Sequence, residues 1–178
     1  LECCSLYNLL IWYYLKMKNK LLTLFLTLMI SNTMLAASIS EEEVIDSING
    51  FFNGLNIKNY SDDSLNDFVT NDFIIFELAN SFTLDEFKIF LESAGFSNWV
   101  STDWSLTDFT ISIDESSAHA SYLNTGIFIY PDPKDNKQLL REDVKWLESV
   151  YLVKENKKLK LKFLQSDDIQ RTVKPFID

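Results

Sequence analysis

Glu148 is the residue of this chain whose surroundings most demand a chemical explanation. It stands inside V-K-W-L-E-S-V-Y-L-V, residues 144–153, in phase with Trp146, Val150 and Leu152. A carboxylate on the apolar face of a strand has to be paired, hydrogen-bonded or protonated. With its pKa raised by burial it would serve as a general base, or as a neutral donor, near neutral pH. The structural alternative is a pair with a lysine or a backbone amide. Tyr122 and Asn124 share one parity of A-H-A-S-Y-L-N-T-G with Ala118, Ala120 and Gly126, small residues that leave space beside them. They fit as hydrogen-bonding groups in a pocket walled by Phe51, Phe52 and Trp146. Equally, Tyr122 fits as a core aromatic with its hydroxyl at the rim.

Other chemistry finds little support. His119 is the single histidine, on the parity opposite Tyr122, and reads as a strand-surface residue. H-E-x-x-H, C-x-x-C and D-x-D-x-D-G spacings are absent, as are G-x-S-x-G, the P-loop and G-x-G-x-x-G, so neither a metal nor a nucleotide cofactor is implied. Asp103, beside Trp104, and Asp108 are further acids that match no motif. The formal charge of −10 repels phosphate backbones and makes nucleic acid an unfavourable partner. The lysines between Lys154 and Lys162 read as the solvated face of a strand and its turn.

The elements that must position Glu148 follow from periodicity. Residues 144–166 read as two long antiparallel strands joined by a polar turn at Lys154–Lys158. In the second, Leu159, Leu161, Phe163 and Gln165 alternate with Lys158, Lys160 and Lys162, which predicts one buried and one wet face. In the first, both faces are mostly apolar: Trp146, Val150 and Leu152 oppose Leu147, Tyr151 and Val153. Two covered faces are thereby expected, and with them a homodimer through the sheet. Upstream, strands are expected at 104–113 and 118–130, and the P-D-P segment 131–133 should be a hairpin tip.

Helices come first. Ser40 with Glu43 forms a candidate capping box for a helix whose buried face is Val44, Ile45, Ile48, Phe51, Phe52 and Leu55. Residues 61–70 read as a short second helix with Leu65, Phe68 and Val69 inward, and 73–78 as a strand. Thr83 or Ser81 caps a third helix carrying Leu84, Phe87, Phe90 and Leu91, stopped by Gly95. Helices followed by a meander of long strands give an α+β domain, with helices packed on one face of a curved antiparallel sheet.

Before that domain, Met17 opens a basic n-region with Lys18 and Lys20, an apolar run at 21–30 and a small-residue zone at Ala36–Ala37. This reads as a secretory signal peptide over 17–37, its apolar run too short to span a membrane. Residues 1–16 then form an upstream leader that holds both cysteines, and 38–178 a single periplasmic or secreted domain without thiols. The membrane is met only through the signal peptide.

The order of elements, with A-S-Y-L-N-T-G-I-F in the middle strand and W-L-E-S-V-Y-L-V-K-E-N-K-K-L-K-L-K-F-L-Q-S at the end, resembles the SnoaL-like, nuclear transport factor 2-like superfamily, in particular its small exported bacterial members. The resemblance spans residues 41–169. It implies a cone-shaped, strongly curved sheet wrapped around the first helix, a small-molecule pocket at the open end and a dimer through the sheet. Leu159 stands where that pattern usually has Trp, and Gln165 where it often has His; an amide cannot titrate as that His would. The expected ligand-binding set is Phe52, Trp104, Tyr122, Asn124, Trp146 and Gln165. Three functions fit: a binding domain for a small apolar or carbonyl-containing molecule, without catalysis; a cofactor-independent isomerase, dehydratase or cyclase with Glu148 as base and Tyr122 or Asn124 polarising a carbonyl; or a collapsed pocket in a protein built for dimerisation.

Overall fold

The computed structural model describes residues 38–177; the expected leader and signal peptide lie outside them. Helix α1 runs Glu41–Gly54. The Ser40 hydroxyl caps it by accepting from the Glu43 amide at 3.1 Å. The reciprocal half of the expected box is replaced by an ion pair from Glu43 to Lys154. Val44, Ile48, Phe51 and Phe52 are buried, as their spacing requires. Strand β1 (Val69–Glu77) turns tightly into β2 (Asn80–Thr83), and α2 (Leu84–Ser93) follows at once. Thr83 caps α2 in a complete capping box with Glu86. A short 3-10 turn, Phe96–Asn98, leads to β3 (Ser101–Ile113), β4 (Ser117–Asp132), β5 (Asp135–Glu155) and β6 (Lys158–Pro175).

The six strands form one open sheet in the order β2-β1-β6-β5-β4-β3. Four junctions are antiparallel, the expected meander among them, while β1 joins β6 in parallel. A parallel pair needs a long crossover, and the elements from β2 to β5 supply it. Helix α1 contacts both β6 and β3, so the sheet bends round it. Two bonds fix this docking: Ser47 Oγ donates to the Leu159 carbonyl at 3.0 Å, and the Ile57 amide to Thr102 Oγ1 at 2.8 Å.

Three sequence expectations need correction. Residues 62–68 form consecutive turns and no α-helix. The backbone bonds within the segment span three residues, Ser64 to Ser61, Asn66 to Asp63 and Phe68 to Leu65. Ser64 and Asn66 side chains bond back onto the same turns, which is how such residues compete with a helix. Leu65 is buried all the same.

The inward face of β6 also differs. Tyr151 pairs with Phe163 but Leu152 with Leu161, so Lys162 is bulged out and the parity changes there. The buried series is Leu159, Leu161, Leu164 and Ser166, whereas Phe163 packs edge-on against the part-exposed Phe76 at 5.0 Å and Gln165 is exposed. Finally, β6 continues past Gln165 to Pro175 along β5. Beyond Ser166 it has lost β1 as a neighbour, so D-D-I-Q-R-T-V-K carries no buried alternation to read.

Candidate functional site

Strand register places four polar side chains in a row across an otherwise apolar sheet face. Glu77 of β1 pairs with Ser166 of β6, Ser166 with Glu148 of β5, and Glu148 with Tyr122 of β4. Partners in adjacent strands point the same way, so the row is a direct product of the pleat.

At its centre Glu148 is 5% exposed. Its Oε1 accepts from Asn124 Nδ2 at 3.1 Å and from Ser166 Oγ at 3.1 Å. Oε2 and the adjoining Tyr122 hydroxyl lack partners of standard hydrogen-bond geometry. Burial pushes the Glu148 pKa up to about 7, against the pull of Tyr122, Asn124 and Ser166, and the charge of Glu77 adds to the rise. Burial likewise raises Glu77, with Ser166 and Arg171 opposing. The Tyr122 hydroxyl is held well above its ordinary value, first by burial and then by Glu148.

This row borders a cavity of about 870 Å³ between α2 and the inner face of the sheet. Phe52, Trp104, Phe128 and Trp146 form one wall and Phe87, Phe90 and Leu91 of α2 contribute another, with Glu77, Glu148 and Ser166 among the lining residues. The aromatic rings lean on one another: Trp104 lies 4.8 Å from Phe128 and 5.8 Å from Trp146, centroid to centroid. A second polar group lines the same space. Arg171 binds the buried Glu142 carboxylate and also Asp168, its Nε 2.6 Å from Asp168 Oδ2. Tyr130 beside it is raised to about 12 by burial and by Glu142.

Among the expected residues, Glu148, Phe52, Trp104 and Trp146 are thus brought together on the cavity. Tyr122 and Asn124, at 3% and 0% exposure, are not among the residues that line the cavity; they adjoin Glu148, to whose Oε1 Asn124 donates. Gln165 is not part of the group: the bulge at Lys162 turns it to the opposite face, where its amide lies 3.4 Å from Asp167. His119 is exposed against Ser149 at 2.8 Å, and Asp103 and Asp108 are exposed and away from the cavity. Among the described residues no group of three or more His, Cys, Asp or Glu is placed to hold a metal.

Four site residues escaped the sequence reading. Glu77 closes the apolar run F-I-I-F-E, a signal of the same kind as Glu148. Ser166 was hidden by the bulge. Glu142 keeps the parity of Trp146 and Glu148 and was legible from it, whereas Arg171 lies in the polar tail of β6, where no pattern marks it.

No protein-family model matches the chain, and no curated relative does. Solved structures do. A candidate scytalone dehydratase from Novosphingobium aromaticivorans superposes with a TM-score of 0.62 at 15% identity, over 74% of this chain and 85% of that one. Hexachlorocyclohexane dehydrochlorinase LinA type 2 gives 0.56 at 10% identity, covering 78% and 94%. The association domain of Caenorhabditis elegans CaMKII gives 0.53 at 12%, covering 71% and 94%. The likeness establishes the fold, the nuclear transport factor 2-like arrangement that the sequence resembles.

Proposed function

We propose that this is an exported domain that binds a small, largely apolar molecule in the cavity between α2 and the sheet. The observation that carries the reading is the cavity itself: about 870 Å³ of space walled by Phe52, Trp104, Phe128 and Trp146, with a row of few polar groups at one side. Apolar walls supply affinity and convergent polar groups supply orientation. Native mass spectrometry of the protein purified gently from its own host tests it. A retained apolar adduct supports the reading and names the chemical class, whereas a cavity that takes up no apolar probe refutes it.

A second reading, an acid–base enzyme without a cofactor, is favoured by one feature. Glu148 is poised near pH 7 with Asn124 and Ser166 holding one oxygen, the state a general base needs. Solved neighbours described as a dehydratase and a dehydrochlorinase use the same fold. Under this reading Glu148→Gln abolishes turnover of the molecule found bound while leaving its affinity within a few-fold.

Pairing of two copies belongs to the same proposal. Leu147 and Tyr151 stand on the outer face of β5 at 54% and 39% exposure, with Phe76 at 43% two strands away. The outer face is therefore the expected dimer surface, and a structural neighbour with this fold is an association domain.

A further inference from the structure

The charge on the cavity is unbalanced, and the imbalance specifies a ligand. Its charged lining residues are Glu77, Asp132, Glu142, Glu148 and Arg171. Arg171 is already engaged by Glu142 and Asp168. Neither Glu77 nor Glu148 forms an ion pair with a described side chain. Glu148 is more than nine-tenths buried, borders the cavity, and has one carboxylate oxygen, adjoining the Tyr122 hydroxyl, with no partner of standard hydrogen-bond geometry. Two carboxylates on strands either side of Ser166 thus face a space whose one cation among the described lining residues, Arg171, acts on Glu77 through its charge but is ion-paired to Glu142 and Asp168.

The walls have matching chemistry. Phe52, Trp99, Trp104, Phe128, Tyr130 and Trp146 all border the cavity. Trp99 stacks on Tyr130 at 5.2 Å, and the Trp104, Phe128 and Trp146 rings are mutually tilted. Tilted and edge-on rings present electron-rich faces in several directions, and such faces attract a cation most strongly where water is excluded. Buried acids with rings around them complement a positive charge on an apolar body.

Resting on the binding reading above, we propose that the cavity selects an organic cation, an ammonium carried on an aromatic or aliphatic body, with its charge set toward Glu77 and Glu148 and its body against the tryptophans. A neutral molecule of the same shape gains the walls but leaves the carboxylates unanswered. An anion meets Glu77 and Glu148 as like charges.

The test compares phenethyltrimethylammonium, its neutral carbon isostere and phenylbutyrate by calorimetry and by quenching of tryptophan fluorescence, on the whole protein. The ammonium is expected to bind at least ten-fold tighter than the isostere. Glu77→Gln and Glu148→Gln should each remove most of that preference while leaving affinity for the isostere within about two-fold. The preference should also grow as pH rises through 7, because ionised Glu148 is the partner. The groups facing Glu148 are Tyr122 and Asn124 from β4, Ser166 from β6 and Glu77 from β1; Tyr122 keeps its proton throughout that range. Equal binding of the ammonium and the isostere, or tighter binding of phenylbutyrate, overturns the inference and leaves the pocket standing. No binding of any of the three overturns both.

Discussion

Glu148 should make this protein less stable as the solution becomes more alkaline, and the effect can be isolated with one substitution. Its ordinary pKa is 4.5 and its folded value about 7. Between those values the native state holds a proton that the unfolded chain has released, so stability falls as pH rises. The difference of roughly 2.5 units corresponds to about 3 kcal/mol, fully developed above pH 7 and absent below about pH 4. Glu148→Gln keeps the size of the side chain and an oxygen to accept from Asn124 and Ser166, but never ionises. The variant and the parent should therefore be of similar stability at pH 4. The variant should become the more stable by up to about 3 kcal/mol at pH 8, on the order of 10 °C in Tm for a domain of this size. Urea denaturation of both proteins across pH 4–8 measures it: titrations remote from Glu148 are shared and cancel in the difference, while Glu77, coupled to Glu148 by charge, is read together with it. Parallel pH profiles would show that Glu148 titrates like a solvated carboxylate, and with that the argument from burial fails. A parent that gains on the variant with rising pH would mean that the donors outweigh burial.

Phe51→Ala removes a side chain with no exposure that packs on Phe52 and Phe73, and should cost about 3–5 kcal/mol in chemical denaturation. Gly126→Ala would place a methyl group 2.4 Å from Phe128 Cζ and 2.8 Å from Trp146 Cζ3. Both rings border the cavity, so a loss of about 1–3 kcal/mol should come with altered affinity for any apolar probe. Unchanged affinity would place the binding surface elsewhere. Leu147→Glu puts a charge on the outer face of β5: the parent should sediment as the proposed dimer and the variant as a monomer, with the far-ultraviolet spectrum unchanged. A variant that still sediments as a dimer locates the interface elsewhere.

What the sequence made legible was whatever an uninterrupted period governs. The α1 face, the alternation of β4 from Ala118 to Phe128 and the inward set of β5 all follow the chain without a break. Glu148 was found because it interrupts the last of these. The reading failed where register, rather than composition, decides. A bulge at Lys162 exchanges Gln165 for Ser166, and one residue of slip moves every later side chain to the other face. The parallel pairing of β1 with β6 is non-local, and nothing in either segment announces that Glu77 will lie beside Ser166. Asn124 and Tyr122 lie on the face their parity predicts but do not line the cavity, because parity tells which side a residue faces and not which side chains of that face border the open space.

The polar row also ties stability to occupancy. Asn124 and Ser166 both spend their hydrogen bonds on one oxygen of Glu148, so together they offset burial only in part and leave its pKa raised. A leucine at this position would suit the surrounding face better, since burying an unpaired charge is costly whereas apolar packing is not. The strain is relieved in one of two ways: Glu148 takes a proton, or something positive enters the cavity beside it. These alternatives compete, so a cation bound at pH 8 should release less proton than one bound at pH 6, and should stabilise the fold in proportion to its own affinity. Proton release, read from calorimetry in buffers of different ionisation enthalpy, separates them. A cation that binds at pH 6 without displacing a proton does not answer Glu148, and the row would then serve only to hold β1, β6, β5 and β4 in register.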